Sequence, residues 1–259
     1  MDQQNLSSTL LLNDTSDYHY GCKKVVESFN FKHSFKTREA QLALSARFQQ
    51  YTKVILNGEG TMHHSSTIGI KFLDALNRAV EAGCEVQLLN TVWQDMPNHP
   101  VLSKCSRITV REPFSCTELY KYNIKSEVYP DRCLIHPVEF QKYPHIEIYR
   151  GQYFNSNKKY IDYPRINIFE QDWNEVVNRL RHSNLLITGR HHEMYAAIKA
   201  RCKFVVVKGN SWKNEGLLRQ FGLDTGMSQD DILTGKYDSQ FNELFDYCDT
   251  KSKELGAQL

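Results

Sequence analysis

The stretch Asn57-Gly58-Glu59-Gly60-Thr61-Met62-His63-His64 sets a carboxylate between two glycines and follows it with two imidazoles. Glycine lets a backbone approach a ligand closely and adopt dihedrals closed to other residues. A carboxylate held there can act as general base, general acid or stabiliser of a cation. The same position also suits a glutamate that binds backbone amides of the following helix. His63 and His64, with Ser65 and Ser66 after them, either donate to a phosphate or carboxylate at a helix N-terminus or open that helix as polar residues. Adjacent histidines face different ways, and no HExxH or Cys/His spacing accompanies them. No metal site is expected here.

A second stretch of this kind is Thr188-Gly189-Arg190-His191-His192. A guanidinium, an imidazole and the free amides of a helix start make an anion site from Arg190 and His192. The plainer alternative pairs Arg190 with a carboxylate and leaves His191-His192-Glu193 as a solvated first turn. Lys208, Asn210 and Lys213 follow the next strand and either extend a basic wall or are surface charge. Asp131, after Val128-Tyr129-Pro130, is a further strand-end carboxylate, with a turn or helix-cap role as its alternative. Arg111 and Glu112 either pair with each other or line the cleft, and the structural reading is preferred. Tyr18, His19 and Tyr20 follow the first strand, where they either touch a substrate or pack as an aromatic lid.

These residues need elements to position them. Apolar runs predict strands at Thr9–Leu12, Lys53–Leu56, Glu85–Leu89, Arg107–Val110, Ser126–Tyr129, Asn184–Ile187 and Phe204–Val207. Helical patterns fall between them, at Gly21–Phe29, Arg38–Gln50, Ile68–Ala82, Phe114–Tyr122, Trp173–His182, Arg190–Ala200 and Lys213–Phe221, with a last helix over Gln240–Glu254. Strands alternating with helices predict parallel βαβ units, and in such sheets ligands bind at the carboxyl ends of the strands. Both glycine-bearing turns lie there. Between Pro137 and Gln171 tyrosine, proline and polar residues show no sustained period. This segment reads as a connection between lobes with one strand near Ile166–Phe169.

At 259 residues the chain suffices for one large α/β domain or two small ones. A net charge of +2 is too small to argue for nucleic acid or a strongly acidic partner. Seven cysteines without regular spacing fit a reducing compartment better than a disulfide framework, and Cys22, Cys84, Cys116 and Cys202 read as packed thiols. No run approaches the roughly 20 apolar residues of a membrane helix. A cytoplasmic protein is expected, with peripheral placement at the inner face of the membrane as a variant.

Taken in order, Leu10–Cys22, Val54–His63 (VILNGEGTMH), Ile108–Phe114 (ITVREPF), Val128–Asp131 (VYPD) and Thr188–Lys213 resemble the polysaccharide pyruvyl transferase superfamily. The resemblance implies a GT-B-like α/β fold of two Rossmann-like lobes, here 1–136 and a shortened 137–259. It implies transfer of pyruvate as a ketal from phosphoenolpyruvate to a sugar of a cell-surface polysaccharide, without a cofactor, beside partner polysaccharide-assembly proteins. Carried over, Arg190 and Lys213, with His63, His64 and Asn210, would hold the donor. His192 would give a proton or steady the leaving phosphate, Glu59 would take the acceptor proton, and Asp131 would stabilise the cationic carbon. The superfamily also resembles retaining transferases that use CMP-activated Kdo, in which Asp131 would be a covalent nucleophile. A binding module of the same fold without chemistry is a third reading. The chain departs from the family in its length and in its first turn, which lacks the glycines of many members.

Overall fold

The first sheet is built from short apolar segments that each end in a polar turn. In the computed structural model, which describes residues 8–152, 162–207, 209 and 211–258, these are β1 (Thr9–Asp14), β3 (Lys53–Asn57), β4 (Glu85–Thr91) and β5 (Arg107–Val110), with the lesser strands β2 (His33–Lys36) and β6 (Glu127–Val128). They pair in the order β2-β1-β3-β4-β5-β6, all parallel. β1 is buried from end to end, as a strand with neighbours on both sides and apolar residues on both faces should be. α3 (Thr67–Glu81) lays Phe72, Leu73, Leu76 and Ala79 into the core formed by Leu10, Leu12, Val54, Leu56, Val86 and Leu88. Those positions recur at helical spacing, so the burial follows from the sequence period. Ser66 caps this helix by accepting from the Gly69 amide at 3.3 Å.

A second parallel sheet has the order β7-β8-β9, from β7 (Ile146–Arg150), β8 (Ser183–Thr188) and β9 (Lys203–Val206). Its helices are α5 (Trp173–Arg181), α6 (His191–Ala200), α7 (Lys213–Arg219), α8 (Gln229–Leu233) and α9 (Asp238–Gly256). α6 is buried continuously from His191 to Ile198, packed by α5 and α9. Asp172 starts α5 by accepting from the Glu175 amide at 2.8 Å.

Contacts group the chain into two units. The first holds the described residues up to 17 together with 29–129; the second holds 18–28 and the described residues from 130 to 258. The sequence reading put the break between 136 and 137. It did not foresee that 18–28, carrying α1 (Tyr20–Glu27), goes with the second unit, where α1 packs on α5, α6 and the turn Arg132–Ile135. The fold class is as expected, α/β with two parallel Rossmann-like sheets, and the second sheet is the smaller among the described residues.

Three local expectations are corrected. Arg38–Gln50 is not one helix: only α2 (Ala40–Ala43) forms, between short 3-10 turns. Leu42, Leu44, Ala46 and Phe48 recur every second residue, which gives a helix no single apolar face, and Leu42 is exposed. The expected strand at Ile166–Phe169 is reduced to one bridge, Arg150 to Arg165. Asn167 then turns the chain, its side-chain oxygen accepting from the Phe169 amide at 3.2 Å. The strand of this region is instead β7, in the segment read as a connection. The remaining helix of the first unit, α4 (Pro113–Tyr120), starts at its proline as expected. Among the described residues no helix is long and apolar enough to cross a membrane.

Candidate functional site

In the first unit the Glu59 turn is built around Asn13, at the end of β1. Its backbone has φ 62°, a left-handed conformation that asparagine tolerates better than most residues. Its amide donates to the carbonyls of Asn57 at 2.7 Å and Glu59 at 3.0 Å, and to Thr61 Oγ1 at 3.2 Å. Thr37 Oγ1 donates to the Asn13 oxygen at 2.7 Å. Asn57 returns a bond to the Asn13 carbonyl at 3.2 Å and accepts from the Glu59 amide at 3.3 Å. The glycines answer two different needs. A Cβ on Gly58 would lie 2.2 Å from Thr91 Cβ, whereas Gly60 takes φ +70° in open space. Glu59 is thus delivered buried, its Oε2 accepting from Thr15 Oγ1 at 2.6 Å.

The other candidates of this unit divide. His63 and His64 precede α3 rather than opening it, since Ser66 is the cap. His64 is half exposed and faces Asp95 at 3.1 Å. Arg111 and Glu112 are buried, and Glu112 caps α4 by accepting from the amides of Phe114 at 2.6 Å and Ser115 at 3.0 Å. Burial raises its pKa, opposed by those bonds and by the Arg111 charge. Glu112 thus has a structural role as the cap of α4.

The second unit brings together two of the predicted polar residues, Asp131 and His192, with His191 beside them. Asp131 caps the turn Arg132–Ile135, its Oδ1 accepting from the Cys133 amide at 2.9 Å. The turn is anchored by Arg132, which donates to Ser28 Oγ at 2.7 Å and to the Ser28 carbonyl at 2.9 Å. Lys199 adds a bond to the Leu134 carbonyl at 2.7 Å. Asp131 Oδ2 is thereby set 3.5 Å from His191 Nε2 and 3.7 Å from His192 Nε2, all three residues being buried. Asn214 Oδ1 lies 3.0 Å from His191 Nδ1. An amide oxygen only accepts, so it places the imidazole proton on Nδ1 and turns Nε2 toward Asp131. His192 packs edge-on against His19, with ring centroids 4.9 Å apart. Gly21 makes room for it, because a Cβ there would lie 2.6 Å from His192 Cβ.

Arg190, the cap residue of α6, donates from Nε to Gln152 Oε1 and stacks its guanidinium 4.5 Å from the Phe169 ring centroid. Lys213 is the first residue of α7, beside Asn214 in sequence. Asn210 and Lys208 lie outside the described residues. The alternative in which His191-His192-Glu193 forms a solvated turn does not hold, since all three are buried. Glu193 was not singled out in the sequence, yet its carboxylate joins β7, β8 and α6. Its Oε2 accepts from Thr188 Oγ1 at 2.5 Å and from the Gln152 amide at 2.9 Å. Burial pushes its pKa up to about 7, against those bonds and the charges of Arg190 and Arg165. Its only signal in the sequence was a glutamate in the first turn of a helix, which is as common on the surface. Cys22, Cys133 and Asn214 also escaped, because nothing near them in sequence marks their partners.

No family model matches this chain, and no curated protein matches it by sequence. Solved structures resemble its fold. MnaA of S. aureus, solved with UDP, aligns with TM-score 0.60 at 8% identity, over 96% of this chain and 93% of that one. UDP-GlcNAc 2-epimerase from Neisseria meningitidis, bound to UDP-GlcNAc, aligns with TM-score 0.56 at 9% identity, over 96% and 98%. The corresponding enzyme of Methanocaldococcus jannaschii gives TM-score 0.56 at 8% identity with the same coverage, 96% and 98%. At these identities the likeness is one of fold, and the α/β architecture is shared.

Proposed function

We propose that this chain is a carbohydrate-processing enzyme that transfers pyruvate as a ketal from phosphoenolpyruvate to a sugar of a cell-surface polysaccharide. The observation that supports it most is the set at the start of α6: Asp131 within 3.5 and 3.7 Å of two imidazoles, with Arg190 at the cap. Phosphoenolpyruvate carries its carboxylate and its phosphate on the carbon that becomes cationic. Arg190, Lys213 and the first amides of α6 suit the two anions. His192 delivers a proton to the methylene carbon, and Asp131 opposes the positive charge that develops beside it. One sugar hydroxyl then adds to that carbon, phosphate leaves, and a second hydroxyl closes the ketal. Of the two hydroxyl protons, one replaces the proton given by His192 and the other leaves with phosphate. Glu59 keeps the role of proton acceptor that the resemblance implies, tested separately by Glu59→Gln, which should stay folded and lose turnover.

A second reading is sugar-nucleotide chemistry, favoured by fold likeness to proteins solved with UDP and UDP-GlcNAc. Thermal-shift titrations with phosphoenolpyruvate, UDP, UDP-GlcNAc and CMP-Kdo separate the two. A ligand at a hundred times its dissociation constant stabilises the fold by about 2.7 kcal/mol, which is readily measured. Stabilisation by phosphoenolpyruvate, lost in Arg190→Ala, supports ketal transfer. A response to UDP or UDP-GlcNAc alone replaces it with the second reading. A response to CMP-Kdo alone makes glycosyl transfer through Asp131 the reaction, and silence toward all four leaves a binding module.

A further inference from the structure

The second unit sets thiols that the proposed reaction does not use, Cys133 and Cys22, beside residues that it does. Ligand atoms of Asp131, Cys133 and His192 lie within 4.8 Å of one another, and so do those of His19, Cys22 and His192. All five residues are buried.

The separations are informative. Asp131 Oδ2 stands 3.5 and 3.7 Å from the two Nε2 atoms, beyond the 2.7–3.2 Å of an ordinary hydrogen bond. Two N or O ligands at about 2.0–2.2 Å from a tetrahedral zinc ion stand ~3.3–3.6 Å apart, so Asp131 Oδ2 and His192 Nε2, at 3.7 Å, need to close only slightly to share one. The carboxylate is also oriented for the task, because the Cys133 amide occupies Oδ1 and leaves Oδ2 toward the imidazoles. His191, held at Nδ1 by Asn214, turns its Nε2 toward that same oxygen.

The two triads are not equivalent. His19 Nδ1 accepts from the Cys22 amide at 3.3 Å to cap α1, which puts the neutral imidazole's proton on Nε2, the atom nearest Cys22 Sγ at 3.5 Å. Ligation through that nitrogen would give up the cap. The Asp131 triad needs no such change.

We propose that Asp131, Cys133 and His192 form a binding site for one divalent ion of the zinc class, the mixed O, S, N donor set being the kind zinc accepts. Binding forms a metal–thiolate bond and releases the Cys133 thiol proton to solvent. The site shares Asp131 and His192 with the reaction proposed above, so zinc on His192 and proton transfer by His192 exclude one another; the site does not rest on that reaction, since metal retention is read with no donor present.

The test loads the full-length protein with Zn²⁺, dialyses it, and measures metal per chain by elemental analysis. Co²⁺ then replaces zinc, and the spectrum is read for a thiolate-to-cobalt charge-transfer band. One zinc per chain and a thiolate band are expected, both retained in Cys22→Ser. In Cys133→Ser the band should vanish and zinc affinity fall more than about 100-fold, since loss of an outer partner alone costs 10–100-fold. Asp131→Asn should weaken zinc as well, and it stands in if Cys133→Ser does not fold. Wild-type protein that retains no zinc overturns the site. So does a thiolate band that survives Cys133→Ser, one that disappears in Cys22→Ser instead, or wild-type affinity in Asp131→Asn.

Discussion

Replacing Glu193 by glutamine should flatten the dependence of this protein's stability on pH between about 4.5 and 7. The carboxylate is fully buried at the junction of β7, β8 and α6, and burial raises its pKa from 4.5 to about 7. A carboxyl group with a raised pKa favours folding while it is protonated. Its contribution is complete below 4.5, the unfolded value. It is lost as pH rises through about 7 and changes no further above that. At 1.36 kcal/mol per unit the loss is about 3 kcal/mol. The amide cannot ionise, so this slope disappears in Glu193→Gln whatever the variant's stability at a single pH. Its oxygen can still accept from Thr188 Oγ1 and the Gln152 amide, while its NH₂ group takes the place of an oxygen with no hydrogen-bond partner among the described residues. A buried donor without a partner costs about 1–3 kcal/mol, so the variant starts weaker at low pH and the two curves converge as pH rises. Equilibrium urea unfolding of both proteins at several pH values measures this, other titrating groups being common to both. Parallel curves, within about 1 kcal/mol over the whole range, would refute the assignment of Glu193 as a carboxyl buried near neutrality.

Gly58→Ala places a methyl 2.2 Å from Thr91 Cβ and 2.8 Å from Thr91 Cα. Overpacking of this kind costs about 1–3 kcal/mol or more, a fall in Tm of roughly 2–4 °C per kcal/mol for a chain of this size. Thr91→Ala in the same protein should restore only part, because the backbone carbon stays in place; an unchanged Tm for Gly58→Ala would disprove the close approach. Gly21→Ala drives a methyl against His192, 2.6 Å from its Cβ. On the proposed ketal transfer, displacing that ring should lower kcat/KM for phosphoenolpyruvate about 100-fold, as a misplacement of about 1 Å does, with the circular dichroism spectrum unchanged. Wild-type kcat/KM in this variant would remove His192 from the reaction.

Local chemistry made most of the fold legible. Strands such as Lys53–Asn57 announce themselves by apolar runs, and α3 by its period, because burial on a sheet or against one selects those patterns directly. The Glu59 turn was legible for the same reason: its glycines meet needs that lie within the turn or in the neighbouring strand. Two edge strands escaped. β2 (HSFK) and β7 (IEIYR) are half exposed and so carry no continuous apolar run. Asp131, Arg190 and His192 could be named as polar residues at strand ends. That Asp131 would stand within 3.7 Å of two imidazoles could not. Nor could the sequence tell that α1 belongs with the second unit, bringing His19, Cys22 and Gly21 to His192. Such juxtapositions depend on which helix packs on which, and that choice is made by the summed burial of whole elements rather than by any residue near the site. The chain alone determined where polar groups leave the strands; only tertiary packing decided which of them meet, and therefore that Glu193, a surface residue by its type, is a buried acid.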